Sequence, residues 1–177
     1  MSALSLLFAL VVAGETAPPP ATRVGVEVFA VALAVGTGET LAFARGVGEL
    51  VGGTNPDDRA REIASSLAGG IALIHSTSWR WEPEGRIVLT YLAWAKEGSL
   101  GAGARPLPRL APPMPTDPLH PRPAEIRELD PLSHGLRHLA FLLRTSRNGA
   151  VATAIGPRSA AALAKLEPDV AGELALP

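Results

Sequence analysis

The sequence predicts an α/β-class fold of the α+β type: a mixed, largely antiparallel sheet with flanking helices near 56–68, 131–146 and 157–167. Three observations carry this expectation. Val24 to Val35 is a long run rich in β-branched residues with no helix caps, which reads as a central strand. Two strand-like arms, one through His75 to Trp81 and one from Arg86 to Ala95, flank Glu82-Pro83-Glu84-Gly85, where proline pre-sets a turn and glycine accepts positive φ. Two segments carry apolar residues at helical spacing: Ala60, Ile63, Ala64 and Leu67 in one, and Leu132, Leu136, Leu139, Ala140 and Leu143 in the other.

Taken in order, Leu4 to Val12 reads as a buried strand. The stretch Met1 to Gly14 is apolar and uncharged, but no Lys or Arg precedes it as in a secretory signal, and 14 residues are too few to span a bilayer. Pro18-Pro19-Pro20 sets a loop before the long strand. Gly36-Thr37-Gly38 turns the chain into a partner strand, Thr40 to Arg45, and Gly46 to Thr54 follows as a glycine-rich loop. Thr54 or Asn55 caps the first helix, Pro56 suits its first turn, Asp57 and Asp58 sit at the positive end of its dipole, and Gly69-Gly70 ends it. Ile71 to Ile74 opens the first aromatic arm. Residues 99–123 hold eight of the seventeen prolines, so they form a loop or linker. The late helix runs from about Pro131 to Thr145, capped by Asp130 and stopped by Asn148-Gly149, and an Ala-rich helix follows from Pro157 to Leu166. One domain spanning 1–177, with 150–177 as a C-terminal helical extension, fits this length.

Composition narrows the function classes. With 47% hydrophobic and 19% charged residues the chain has the makings of a packed core. Sixteen basic against seventeen acidic residues give a net charge of −1, which supplies no electrostatic drive toward nucleic acid or an anionic membrane. The absence of cysteine excludes disulfides, thiolate catalysis and Cys-based metal sites, and is compatible with a cytoplasmic location.

Candidate chemistry is sparse. His134 and His138 are one helical turn apart, on a face shared with Phe141 and turned from the leucine stripe. Two such imidazoles can share a metal ion, with a third ligand from His75, His120, Asp117 or Glu27; the plainer reading is a solvated or partner-facing pair. The helix resembles the zinc-protease helix in its spacing, but Gly135 stands where that motif has its glutamate base, which argues against protease chemistry. His75-Ser76-Thr77-Ser78 has the H-x-T-x form of phosphoesterases that need two such motifs, and no second copy exists. Ser65 and Ser66 have no nucleophile-elbow context, and Gly46 to Gly53 lacks the Gly-Lys-Ser/Thr of a phosphate loop. Strict alternation in the first aromatic arm puts His75, Thr77, Trp79 and Trp81 on one side and Ser76, Ser78 and Arg80 on the other.

The order of parts (hairpin, Gly-Gly loop, helix, strand pair with Trp and Tyr, late helix) resembles the Nudix fold, whose members hydrolyse a nucleoside diphosphate linked to another moiety. Arg61, Glu62 and Ile63 match that family's Arg-Glu-aliphatic signature. Ser65 and Ser66 stand where the family has its metal-binding glutamates, Gly69 falls one residue late, and the upstream loop is too short to place the earlier glutamate. The resemblance therefore implies the fold with a degenerate signature. Mg²⁺ on a pyrophosphate needs carboxylate oxygens, which two serines do not supply.

The resulting expectation is a non-catalytic or degenerate-enzyme domain that binds a small ligand or a protein partner, itself included as a homo-oligomer, and needs no cofactor. His75, Thr77, Trp79, Arg80 and Trp81 are its candidate ligand-binding residues, and His134, His138 and Phe141 its partner or weak metal face. The hairpin aromatics are expected mainly to fill core. The alternative is a Mg-dependent nucleoside-diphosphate-type phosphohydrolase with displaced acids: catalytic candidates Glu62 and Asp58, supported by Glu49 and Glu27.

Overall fold

The computed structural model describes residues 22–36, 40–82, 85–110, 125–145 and 149–168. The expected strand at Leu4–Val12, His120 and Asp117 lie outside them, as do parts of three expected turns. Among the described residues there are five strands: β1 (Arg23–Leu33), β2 (Leu41–Glu49), β3 (Ile71–Glu82), β4 (Arg86–Ala95) and β5 (Arg105–Pro106). The helices are α1 (Pro56–Leu67), α2 (Asp130–Thr145), α3 (Ala150–Ile155) and α4 (Pro157–Leu163). The strands form one sheet in the order β3-β4-β1-β2-β5. β1 runs parallel to β4 and antiparallel to β2, β3 is antiparallel to β4, and β5 is antiparallel to β2. This is the mixed α+β architecture expected, with the hairpin, first helix, strand pair and late helix in the expected order.

The sheet is covered on both faces. Val26, Val28, Ala30 and Ala32 of β1 pack with Ala60, Ile63 and Ala64 of α1 on one side. Phe29, Val31 and Leu33 pack with Leu132, Leu136 and Leu139 of α2, and with Val151, Ile155 and Leu163 of α3 and α4, on the other. A strand buried on both faces carries no polar alternation, which is why Val24 to Val35 reads as apolar sequence interrupted only by Glu27. Each fully buried leucine of α2 contributes roughly 1.5–3 kcal/mol of burial, so the three together anchor the second helical layer.

Local signals hold where they concern one element. Asn55 accepts from the Asp57 backbone N–H and starts α1 behind Pro56. Asp130 behaves differently: its carboxylate turns back onto the Arg127 backbone N–H and guanidinium.

Several expectations are corrected. Gly46 to Glu49 is not loop but the end of β2. A side chain on Gly46 would meet Ile63 Cγ2 at 2.7 Å, and one on Gly48 would meet Arg59 at 2.6 Å. These glycines let α1 lie close on the sheet, a packing role rather than a ligand-loop role. A short helix, α3, precedes α4, and α4 ends at Leu163 instead of continuing to residue 167. The proline-rich arm contributes the edge strand β5, with Pro106 at the sheet margin, and seats Leu107 and Leu110 on the core.

Candidate functional site

β3 is the long edge strand opposite β5, and most candidate side chains converge on it or its neighbours. Its pairing with β4 is interrupted: Ser76 pairs Tyr91 and Ser78 pairs Thr90, leaving Thr77 as the extra residue of a bulge. The bulge breaks the alternation. His75 and Arg80 lie on the α2 side of the sheet, opposite Leu92 and Val88, and Ser76, Trp79 and Trp81 lie on the α1 side, opposite Tyr91, Leu89 and Ile87. The five expected ligand-binding residues therefore divide between two faces. Thr77 is buried, donates to the Thr90 carbonyl at 3.2 Å, and sits under Gly135 of α2.

On the α2 side, Glu27 is the acid inside the apolar strand, only 1% exposed. Its carboxylate accepts from Arg45 Nε at 2.8 Å, Arg80 Nη1 at 2.6 Å and Thr90 Oγ1 at 3.2 Å. Arg80 also pairs with Glu82, Glu82 with Arg86, and Arg86 with Glu49. Three glutamates and three arginines thus alternate in a chain across four strands. Gly25 has no side chain because Arg86 lies over it, within 2.6 Å of where a Cβ would stand. Paired guanidinia hold the Glu82 carboxyl below its ordinary range, although burial works the other way. Sequence reasoning singled out Glu27, and Arg80 as a ligand-binding candidate, but not their pairing, since Arg45 and Arg80 are distant from Glu27 in the chain.

Higher on the same face, His75 stacks on His138 with ring centroids 5.3 Å apart and planes 14° from parallel. His138 stacks in turn near His134 and Phe141, each at 6.3 Å. The expected partner face of α2 is therefore half-buried against β3 rather than open. Burial lowers the pKa of His75, whose Nε2 is buried without a hydrogen-bond partner among the described residues. The near-parallel rings do not converge on a point, and among the described residues no three of His, Asp and Glu are placed to hold a metal ion.

On the α1 side, Tyr91 donates to Asp57 Oδ1 at 2.7 Å, linking the helix start to the sheet. Burial, then that hydrogen bond, pushes the Tyr91 hydroxyl up to about 12. Glu62 is held by Arg59 and Asp58 by Arg61, both 2.8 Å or less, on the exposed side of α1. Ser65 lines a cleft of about 290 Å³ with Arg61 and Ile71 to Ile74, and Ser66 Oγ donates to the Ile63 carbonyl. The acids named for the phosphohydrolase are thus dispersed: Glu27 and Glu49 on one face, Asp58 and Glu62 on the other, each against an arginine. This donor set does not fit Mg²⁺, which requires several free oxygen ligands about one point.

Trp79 and Trp81 project from β3 with 68% and 45% of their surface exposed, the opposite of the core-filling role expected of them. Trp94 and Tyr91 of β4 are the hairpin aromatics that fill core. A cleft of about 520 Å³ at this end of the sheet is lined by Thr22, Arg23, Val24, Glu49, Leu50 and Val51, with neither exposed tryptophan in its wall.

The fold defines a three-layer domain of the α+β class, its mixed sheet enclosed by α1 on one side and α2–α4 on the other. No family model matches the chain, and no curated protein matches it. Among solved structures it is similar to a MutT/nudix family protein from Enterococcus faecalis, with 13% identity and a TM-score of 0.41 over 52% of this chain and 46% of that one. The chain thus matches less than half the length of that protein. No helix among the described residues is long and apolar enough to cross a membrane.

Proposed function

We propose that this chain is a non-catalytic, Nudix-like domain that engages a protein partner through the outer strip of its edge strand. The observation that carries the reading is the pair Trp79 and Trp81, two residues apart on one face of β3 and widely exposed. Partly buried Ile87 and Leu89 sit opposite them on β4 and extend the apolar surface. Large exposed aromatics are costly to leave in water, and tryptophan is enriched among the residues that carry binding energy at interfaces. An edge strand adds unpaired backbone groups that an extended partner segment can satisfy. The strip is open rather than a closed pocket, which favours a macromolecular surface over a small ligand.

The pairing of every candidate acid with arginine supports the non-catalytic half of the reading. A carboxylate committed to a guanidinium must be released before it can take a metal ion or a proton from water.

The test places a photo-crosslinking phenylalanine analogue at Trp79 and, as control, at exposed Ser66, in cells producing the chain. Discrete adducts at Trp79, absent at Ser66 and lost with Trp81→Ala, are expected; an adduct with the chain itself identifies the partner as a second copy. Equal labelling at both positions refutes the surface. Turnover of nucleoside diphosphate derivatives that needs Mg²⁺ or Mn²⁺ and falls in Glu62→Gln refutes the non-catalytic reading.

A further inference from the structure

We infer that the junction of α2 with the edge strand β3 is an acid-sensitive clasp: neutral His75 and His138 hold helix and strand together, and protonation of both parts them.

The geometry is close and leaves little room for solvent. His75 and His138 stack at 5.3 Å across the two elements. One turn toward the helix start, a Cβ on Gly135 would stand 3.3 Å from Thr77 Cγ2, so the helix backbone rests almost directly on the bulge. His134 and Phe141 continue the stack on the helix. Uncharged imidazoles stack as flat apolar rings. Two imidazolium rings at the same spacing repel, in a half-buried setting that screens them poorly.

Among the described residues, His134 is the other titratable ring of the stack, and the charged groups on the packed elements have partners of their own. On β3, Arg80 is tied to Glu27 and Glu82. On α2, Arg137 Nε donates to the Glu167 carbonyl, and Asp130 is held by Arg127. The helix α3, with sequence AVATAI, carries no ionisable side chain. β4 presents Leu92 opposite His75, and Tyr91 points to the far face. Among α4 residues, Arg158 pairs with Glu97.

Burial already holds the His75 pKa below its ordinary value, so the stacked pair resists charging. Charging His75 costs the contact, and the upper half of β3 loses its helical cover on that face. The binding reading of Trp79 and Trp81 plays no part in this inference.

Amide hydrogen exchange tests it, comparing about pH 7.5 with about pH 5.5 after correction for intrinsic rates. Protection of residues 71–78 and 134–141 is expected to fall by about tenfold or more in acid, with β1 amides unchanged, and the fall is expected to vanish in His75→Phe. His75→Gln, which is also uncharged at both values, decides the matter if the phenylalanine variant does not fold. Equal protection at both pH values, or a fall that survives in the variant, overturns the clasp. So does an NMR titration in which His75 takes its proton at or above the ordinary histidine range.

Discussion

Arg80 reaches Glu27 across the intervening strand β4, 53 residues along the chain, and closes a 2.6 Å ion pair in which the acid is 1% and the base 15% exposed. Glu27 holds Arg45 as well, so one carboxylate ties β1 to both β2 and β3. Removing its charge leaves two partly buried guanidinia facing each other. Glu27→Gln is expected to cost about 2–4 kcal/mol of stability, read as a lowered urea midpoint, because an orphaned buried charge is penalised more than an intact pair is rewarded. Glu27→Gln/Arg80→Met is expected to recover part of that loss; a double variant no better than the single one would show that the pairing is not what holds the carboxylate in place.

Gly46 and Gly52 look alike in sequence and differ in space. A Cβ at Gly46 collides with Ile63, and among the described residues nothing lies within 4 Å of one at Gly52. Gly46→Ala is therefore expected to push α1 off the sheet and cost about 1–3 kcal/mol, whereas Gly52→Ala stays within about 0.5 kcal/mol of wild type. Thermal unfolding of the two variants side by side checks the contrast.

Tyr91 is the chain's sole tyrosine, so its ionisation can be followed by ultraviolet absorbance without interference from another phenol. The midpoint is expected at about 12, raised by burial and then by the bond to Asp57. The folded state holds this proton more tightly than the unfolded state, so its stabilising contribution is complete below the ordinary tyrosine pKa of 10 and is lost as pH rises toward 12. Asp57→Ala is expected to bring the midpoint down toward the ordinary value.

His75 has the opposite dependence at the acid end. Its folded pKa lies below the ordinary 6.5, so the unfolded chain binds the proton first as pH falls. Stability is expected to be full above 6.5 and to decline as the solution is acidified below it, measured by urea unfolding across that range. In His75→Phe the decline should be smaller. A variant whose acid sensitivity matches wild type would assign the effect to other groups.

Much of the architecture was legible before any coordinates. The β-branched, largely apolar run of β1 announced a central strand, and Asn55-Pro56 announced the start of α1. The stripe of Leu132, Leu136 and Leu139 marked the buried side of α2. The candidate site was legible only as a set of residue types. Alternation placed Thr77 with Trp79 and His75 with both, and one bulged residue undid that grouping. A bulge carries no strong local signature here, since Ser-Thr-Ser is as acceptable in a regular strand.

Taken alone, the sequence determined the elements: which stretches are strands or helices, where the first helix is capped, and which side of each helix is apolar. Those properties follow from backbone preferences and side-chain spacing over a few residues. Only the tertiary structure decided that Glu27 would be neutralised, that His75 would meet His138, and that Trp79 and Trp81 would stand in water. Such outcomes depend on strand register and on which distant side chains share a face, and register is set by the whole packed sheet at once.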